Sequence, residues 1–413
     1  MPDAATPLTA RHAWPAGLTR VPFWVYQDPE VLRQEQEAVF EGPVWNYLCL
    51  EVEIPNPGDW RATWVGEMPV VVARDTEGRI SAFENRCAHR GALICFEDGG
   101  SGAKDFTCPY HAWRYDLRGT LQSVAFQRGV NGKGGMPDAF RIGEHGPRKL
   151  RVTVWQGLVF GTFNSDTPEF ESFIGPQVAV RLRVATSRKL EIIGRYVEAL
   201  PNNWKLYAEN VRDTYHASLL HLFFATFKIN RLSQGGGVEI NETGSCHVST
   251  TLAPESAVDN AYAGMRSVDD DFKLRDPALV DVVEEHGDRV RQQIMSVFPT
   301  FVMQRTQNIM AIRQFVPRGV GGCDLHWIYL GYADDTPEMR ARRLRQLNLA
   351  GPAGFVSMED GCIGGFVERG AATAPRAMSV VEMGGAGVEA QDTRATEVAI
   401  RGFWRMWRGL VGL

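Results

Sequence analysis

FENRCAHRGALICFEDGGSGAKDFTCPYHAW, residues 83–113, carries two half-sites that constrain how the surrounding chain folds. Cys87-Ala88-His89 and Cys108-Pro109-Tyr110-His111 are separated by 18 residues. Each offers one thiolate and one imidazole from a tight loop. Two loops projecting from adjacent hairpins can grip one metal group between them. Two thiolates on one iron and two neutral imidazoles on the other make a [2Fe–2S] centre with fewer anionic ligands than a four-cysteine cluster, which raises its reduction potential. The competing assignment is a structural zinc ion. Zinc half-sites usually pair like with like, as C-x-x-C or H-x-x-x-H.

The flanks read as strand and turn. Met68–Ala73 is apolar and rich in β-branched residues, Asp75-Thr76-Glu77-Gly78 is a turn signal, and Ile80–Phe83 resumes the strand. Leu150–Phe163 reads as two strands broken at Gln156-Gly157. Residues 43–164 are therefore expected to form a small all-β domain carrying the cluster. Residues 1–42 read as an N-terminal helical segment. Beyond 165 the pattern changes. Trp204 to Phe227 has helical spacing, and Asp276–Val297, Pro337–Leu349 and Asp392–Leu410 read as helices. Phe298–Val316 and Leu325–Tyr332 read as strands, and the Gly-rich patches 99–102, 234–237 and 319–322 as loops. The expected fold class is α+β, with 165–413 as a second domain.

The chain has 413 residues, 44% hydrophobic and 23% charged, which suits a globular protein of two or three domains. A net charge of −5 and the lack of a basic block argue against nucleic acid as partner. No stretch reaches the roughly 18 apolar residues of a membrane span. The start, MPDAATPLTARHAWPAG, lacks the apolar core of a signal peptide, so a cytoplasmic location is expected. Thiols are then reduced or metal-bound. Cys49, Cys95, Cys246, Cys323 and Cys362 lie outside any ligand pattern and are expected to be small buried apolar side chains.

A second constellation lies in Glu209-Asn210-Val211-Arg212-Asp213-Thr214-Tyr215-His216-Ala217-Ser218-Leu219-Leu220-His221. His216 and His221 are five apart, roughly 140° around an ideal helix. A break near Ser218 is needed to bring them onto one metal. Non-haem iron oxygenases use two imidazoles and one carboxylate on a single face, leaving the other face open. Asp360 is the candidate carboxylate, 139 residues after His221, and Glu359 is its rival. Asp213, three before His216, reads as sharing its helical face and orienting it through the free ring N–H.

Residues 87–111 resemble Rieske domains, and D-x-x-H-x-x-x-x-H with a distant Asp resembles ring-hydroxylating dioxygenases. The likeness extends over nearly the whole chain, through RVPFWVYQDPE, VWNYLCLEVEIP, EHGPRKLRV, LPNNWKLYAENV, GPAGFVSMEDG and VVEMGG. These phrases look most like large (alpha) subunits acting on aromatic carboxylates, with terephthalate the first expected substrate and salicylate or anthranilate the alternatives. One departure is Glu368, where such subunits tend to carry Gln. The resemblance implies a helix-grip-like catalytic domain with antiparallel sheet and flanking helices, on which residues 1–42 pack. It implies one Rieske [2Fe–2S] cluster on Cys87, His89, Cys108 and His111, and one mononuclear Fe(II) on His216, His221 and Asp360. Electrons from NAD(P)H arrive through a separate flavin and iron–sulfur reductase, and O2 is added to one face of the ring as a cis-dihydrodiol. A trimer of large subunits, with a small beta subunit giving α3β3, is implied as well. In that assembly Asp213 links His216 to His111 of a neighbouring copy.

A rigid dianion needs a cation for each carboxylate, preferably a planar guanidinium. Arg313 lies in the run Ile309–Phe315 on the parity of Ile309, Ala311 and Phe315. Its plain alternative is an edge or snorkelling arginine. Arg394 follows Asp392-Thr393, which reads as a helix N-cap. A cation in a first turn opposes the helix dipole and suits a bound anion. Its plain alternative is an ion pair with Glu397. A different class of protein, an iron–sulfur electron carrier without oxygenase activity, would need one metal site only. It would leave some 250 residues after the cluster domain without a task.

Overall fold

A computed structural model describes residues 12–255, 260–265, 271–351 and 354–413. The chain divides into two compact units, Phe40–Phe170 and a larger one built from the N-terminal segment with Glu171–Leu413.

The smaller unit is built from short strands because its sequence alternates apolar runs with glycine turns. Seven strands form an antiparallel sheet in the order Asn46–Leu50, Leu158–Thr162, Lys149–Trp155, Ile80–Glu84, Met68–Arg74, Trp60–Val65, Gly99–Gly100. The pair Lys149–Trp155 and Leu158–Thr162 turns at Gln156-Gly157, both at positive φ. Gly99 and Gly100 pair with Arg61 and Trp60, so this patch is strand rather than loop. It packs so close that an added Cβ would meet Trp60. A three-stranded sheet, Phe106–Thr107, Arg114–Tyr115 and Leu121–Ser123, carries the second half-site at its first hairpin. Phe83, Ile94, Phe106, Trp113 and Tyr115 form the core beneath both half-sites.

The larger unit holds a seven-stranded antiparallel sheet. Its order is Leu190–Leu200, Cys323–Tyr332, Ile309–Pro317, Phe301–Thr306, Val290–Val297, Cys246–Leu252, Gly236–Ile240. Helices Pro337–Ala350, Phe355–Ala372 and Val398–Val411 accompany it. Within this unit the N-terminal segment is tied down by buried polar pairs. Glu35 accepts from Trp204 Nε1 and Trp407 Nε1 and pairs with Lys205 at 2.8 Å. Glu368 accepts from Gln27 Nε2 and from the Asn203 N–H, one bond per carboxylate oxygen. A glutamine there has only one acceptor oxygen.

Four further readings are corrected. Asp276–Val297 is not a helix. A 3₁₀ turn, Pro277–Leu279, leads to irregular chain and then the strand Val290–Val297. Both faces of that strand carry covered polar groups, Gln292 on one and the buried Gln293 on the other, so no period-2 pattern shows. The last helix starts at Val398 and not near Asp392. Residues 236–237 open a strand instead of a loop. Cys362 is exposed, unlike the other free thiols, which are buried.

Candidate metal centres and active site

The two cysteine half-sites are the same loop built twice. Cys87 N–H donates to Ala92 O and Gly91 N–H to Cys87 O, at 2.8 and 2.9 Å. Cys108 N–H donates to Trp113 O and Ala112 N–H to Cys108 O, at 2.8 and 3.0 Å. Both loops turn on a positive φ four residues after the cysteine, Gly91 at 77° and Ala112 at 53°. The difference between C-x-H and C-x-x-H is thus a one-residue offset of histidine within a common frame. Asn85 anchors the base of the first loop. Its Oδ1 accepts from the N–H groups of Ile94 and Cys95, and its Nδ2 donates to Cys95 O.

The donors come together in like pairs. The His89 and His111 rings lie 4.6 Å apart, and Trp113 stacks on His89 at 4.9 Å. Burial raises the Cys87 thiol, the Tyr115 hydroxyl 3.2 Å away lowers it, and neighbouring Cys108 raises it again. Tyr115 also accepts from Ala88 N–H at 3.1 Å. Two adjacent thiols and two adjacent imidazoles suit a two-iron cluster better than a single ion. Among the described residues, only His216, His221 and Asp360 bring three ligand atoms within 4.8 Å of one another, the spacing for one ion.

That triad rests on a broken helix. Asn203 caps the helix Trp204–Asn210, its Oδ1 accepting from Lys205 N–H. The helix stops, a turn follows, and His216 begins a single 3₁₀ turn. His221 stands just before the short helix Leu222–Thr226. The break predicted near Ser218 is therefore double, before and after the 3₁₀ turn. It sets the two imidazoles 5.2 Å apart. Asp360, on the helix Phe355–Ala372, places Oδ1 3.4 Å from His216 Nε2 and 3.3 Å from His221 Nε2. Asn210 Nδ2 donates to that oxygen at 3.0 Å. Glu359 instead reaches the far nitrogen of His221, Nδ1, at 2.8 Å. Neighbours on a helix point about 100° apart, so one carboxylate faces the centre and the other stands behind the ring.

Asp213 does not share a helical face with His216, because the chain between them is a turn. Its Oδ1 accepts from the N–H groups of Tyr215 and His216, both at 3.2 Å, and lies 3.6 Å from His216 Nδ1. Burial alone would lower the His216 imidazole. Hydrogen bonding to Asp213 and Asp360 outweighs it and pushes the ring up to about 10. Burial likewise works against the Asp360 carboxylate, yet His216 and His221 hold it well below the usual carboxylate range. Both shifts mark a centre that favours positive charge.

Beside the triad lies a cavity. One face of the large sheet forms its wall, with Ser249, Gln292, Gln304, Arg313 and Trp327 turned inward. Arg313 is buried and sits over the Trp327 ring at 5.1 Å. Its Nη1 donates to Tyr207 Oη at 2.9 Å, while its buried Nε makes no hydrogen bond among the described residues. Arg394 is also buried and lines the same cavity. It lies before the last helix and not in its first turn, so the dipole argument does not apply. Nor does it pair with Glu397, whose carboxylate takes the Met383 N–H at 2.8 Å. Arg394 bonds instead to neutral acceptors: Nη1 to Asn230 Oδ1, and Nη2 to the carbonyls of Arg231 and Gln234. Burial lowers this guanidinium to about 10. Asn210, Asn230 and Gln292 were missed in the sequence, where uncharged amides give no pattern.

A second cavity adjoins the triad and shares Asn210, Asp213 and His216 with the first. Glu209, Tyr215 and Glu397 line it, with an apolar rim that includes Val367 and Val380.

A family model described as Rieske [2Fe-2S] domain matches residues 44–132. A second, described as ring hydroxylating alpha subunit (catalytic domain), matches residues 181–412. The chain is 52% identical over 396 residues to the terephthalate 1,2-dioxygenase terminal oxygenase component subunit alpha 2 of Comamonas sp, covering 95% of this chain and 96% of that one. It is 42% identical to the anthranilate 1,2-dioxygenase large subunit of Burkholderia cepacia, covering 95% and 94%. Among solved structures, naphthalene 1,2-dioxygenase from Rhodococcus sp. superposes with a TM-score of 0.78 at 21% identity, covering 95% and 94%.

Proposed function

Because the chain belongs to the ring-hydroxylating alpha-subunit family of Rieske non-haem iron oxygenases, we propose that it cis-dihydroxylates an aromatic carboxylate, terephthalate first, with O2 and electrons from NAD(P)H. The observation that carries the substrate class is a pair of buried arginines, on the wall of the cavity that also holds His216, His221 and Asp360, that make no ion pair with a carboxylate among the described residues. An unpaired buried cation is costly, and a bound carboxylate offsets that cost. The terephthalate dioxygenase relative supports the diacid.

The family implies a Rieske cluster and a mononuclear iron, which supply electrons one at a time and activate dioxygen. The residues fit both groups. Cys87, Cys108, His89 and His111 would hold the cluster, and His216, His221 and Asp360 the iron. Asn210 holds Asp360 by one oxygen, and Glu359 fixes the tautomer and tilt of His221 through Nδ1–H. Arg313 lines the cavity, and its Nε has no hydrogen-bond partner among the described residues, so its guanidinium would take one carboxylate through a planar fork of donors. Arg394 would anchor the other end. Asp213, beside His216 and bordering the second cavity, would accept the approach of His111 from a neighbouring copy in a trimer. A separate reductase would supply the electrons, and a small beta subunit would complete an α3β3 assembly.

A second reading is favoured by one observation. Three of the five Arg394 N–H donors are already engaged. A mono-acid anchored at Arg313 alone, as in a salicylate or anthranilate enzyme, fits that count. Substrate-dependent oxygen uptake and product analysis across benzoates and phthalates decide between them. The expected result is a dihydrodiol diacid from terephthalate, lost in Arg313→Gln and strongly reduced in Arg394→Gln. Coupled turnover of a mono-acid without terephthalate turnover would overturn the diacid reading. Unchanged terephthalate turnover in Arg394→Gln would remove that residue from binding.

A further inference from the structure

We propose that Gln292 is a specificity-determining residue that presents a hydrogen-bond donor to the substrate at the Arg394 end of the cavity. That end then selects a substituent which accepts hydrogen bonds, a carboxylate over an amine. The inference rests on the reading that the cavity takes aromatic acids, and it names the group that completes the second anchor.

A guanidinium only donates, so the Asn230 group facing Arg394 Nη1 must be its oxygen. Asn230 then has only Nδ2 left, and this donates to Gln292 Oε1. The Gln292 amide is thereby oriented too. Its oxygen is taken by Asn230, and its Nε2 makes no hydrogen bond among the described residues. Turning the amide over would set two donors face to face. Asn230, Gln292 and Arg394 all line the cavity, so this relay lies along its wall. Gln292 sits in the strand Val290–Val297 with Thr251 and Thr306 as its register partners. The Thr251 and Ser249 hydroxyls, also on the wall, donate or accept equally well and do not discriminate. Since Arg394 has spent three of its five donors on residues 230–234, Gln292 Nε2 adds donors at that end of the cavity.

The test is equilibrium binding of benzoate, terephthalate and 4-aminobenzoate to the holoenzyme by calorimetry. It compares the wild type with Gln292→Glu and Gln292→Leu. Gln292→Glu keeps an acceptor for Asn230 but turns an acceptor to the cavity. Terephthalate is expected to bind this variant about 10- to 100-fold more weakly, the loss of a hydrogen bond to a charged group. Affinity for 4-aminobenzoate should rise relative to terephthalate, and benzoate should stay within about twofold, as should iron content. Gln292→Leu should weaken terephthalate with no gain for the amine. In turnover, KM for terephthalate should rise while kcat holds. An unchanged ratio of terephthalate to 4-aminobenzoate affinity in Gln292→Glu overturns the proposal, whatever the preferred substrate. A wild-type enzyme that binds benzoate as tightly as terephthalate counts instead against the diacid reading, and the ratio in the variant still decides this one.

Discussion

Ala112 holds φ at 53°, a left-handed value that costs a residue with a Cβ roughly 1 kcal/mol. Its counterpart in the twin loop, Gly91, meets the same demand at no such cost. Ala112→Gly should therefore raise the melting temperature of the cluster-bearing unit by a few degrees, partly offset by the greater freedom of glycine in the unfolded chain. Gly91→Ala should lower it. A scan of holoenzyme absorbance against temperature reads both, and opposite signs would remove the twin-loop account. Asp213 supports a second test. Its contacts are backbone N–H groups and the outer nitrogen of His216, so Asp213→Asn should leave both metals bound. Single-turnover oxidation of the reduced cluster should slow by about 10- to 100-fold, as for loss of a group that orients a ligand. A wild-type rate would refute its role as the bridge.

At the scale of elements, the helix Trp204–Asn210 owes its position to partners remote in sequence. Glu209, near its end, accepts from Tyr26 Oη at 2.8 Å and from Trp404 Nε1. Burial is the largest influence on this carboxyl. The two donors offset it in part, Asp213 and Glu397 add to it, and the group is pushed up to about 7 from 4.5. A raised acid stabilises the fold below its unfolded value, and that contribution is lost as pH climbs through the folded one. The window is therefore about pH 4.5 to 7. Glu209→Gln keeps an acceptor and removes the charge. It should raise the melting temperature at pH 8 and not at pH 5. The gain should fall below the roughly 3 kcal/mol that the full shift represents, since Glu209 borders a cavity and keeps some solvent. Equal changes at both pH values would sink this. The same region shows what a sequence can disclose. His216 and His221 are legible because their spacing demands a break, and the break is present. Asp360 against Glu359 is not legible, because rotation about a helix axis has no reference in one dimension. The strand Val290–Val297 is misread as helix because a cavity wall puts a polar Gln292 where a core strand would carry an apolar residue. Arg394 lines the cavity, but not through the helix N-terminus that its sequence context suggested. It lies ahead of the helix, held by loop carbonyls that no pattern reveals.

At the scale of the whole molecule, each unit holds one of the two proposed donor sets together with the hydrogen bonds that frame it. Cys87, His89, Cys108 and His111 lie within Phe40–Phe170, and the backbone bonds that shape their loops stay within that unit. His216, His221 and Asp360 lie within Glu171–Leu413, as do Asn210 and Glu359. Among the described residues no candidate metal donor is shared across the division, so loading of one site should not depend on the other. Cys108→Ser should abolish the visible absorbance and acid-labile sulfide of the cluster. It should keep about one iron per chain, because the triad and its hydrogen bonds are untouched. Asp360→Asn should do the reverse. It should keep about two irons and the full sulfide while losing the ion that requires two imidazoles and a carboxylate. Iron and sulfide analysis of the two purified variants, beside a wild type holding about three irons, tests both at once. Loss of all iron in either variant would mean that the two frames are coupled in folding. It would then follow that the cluster loops and the catalytic sheet form one cooperative structure, in spite of their separate hydrogen-bond networks.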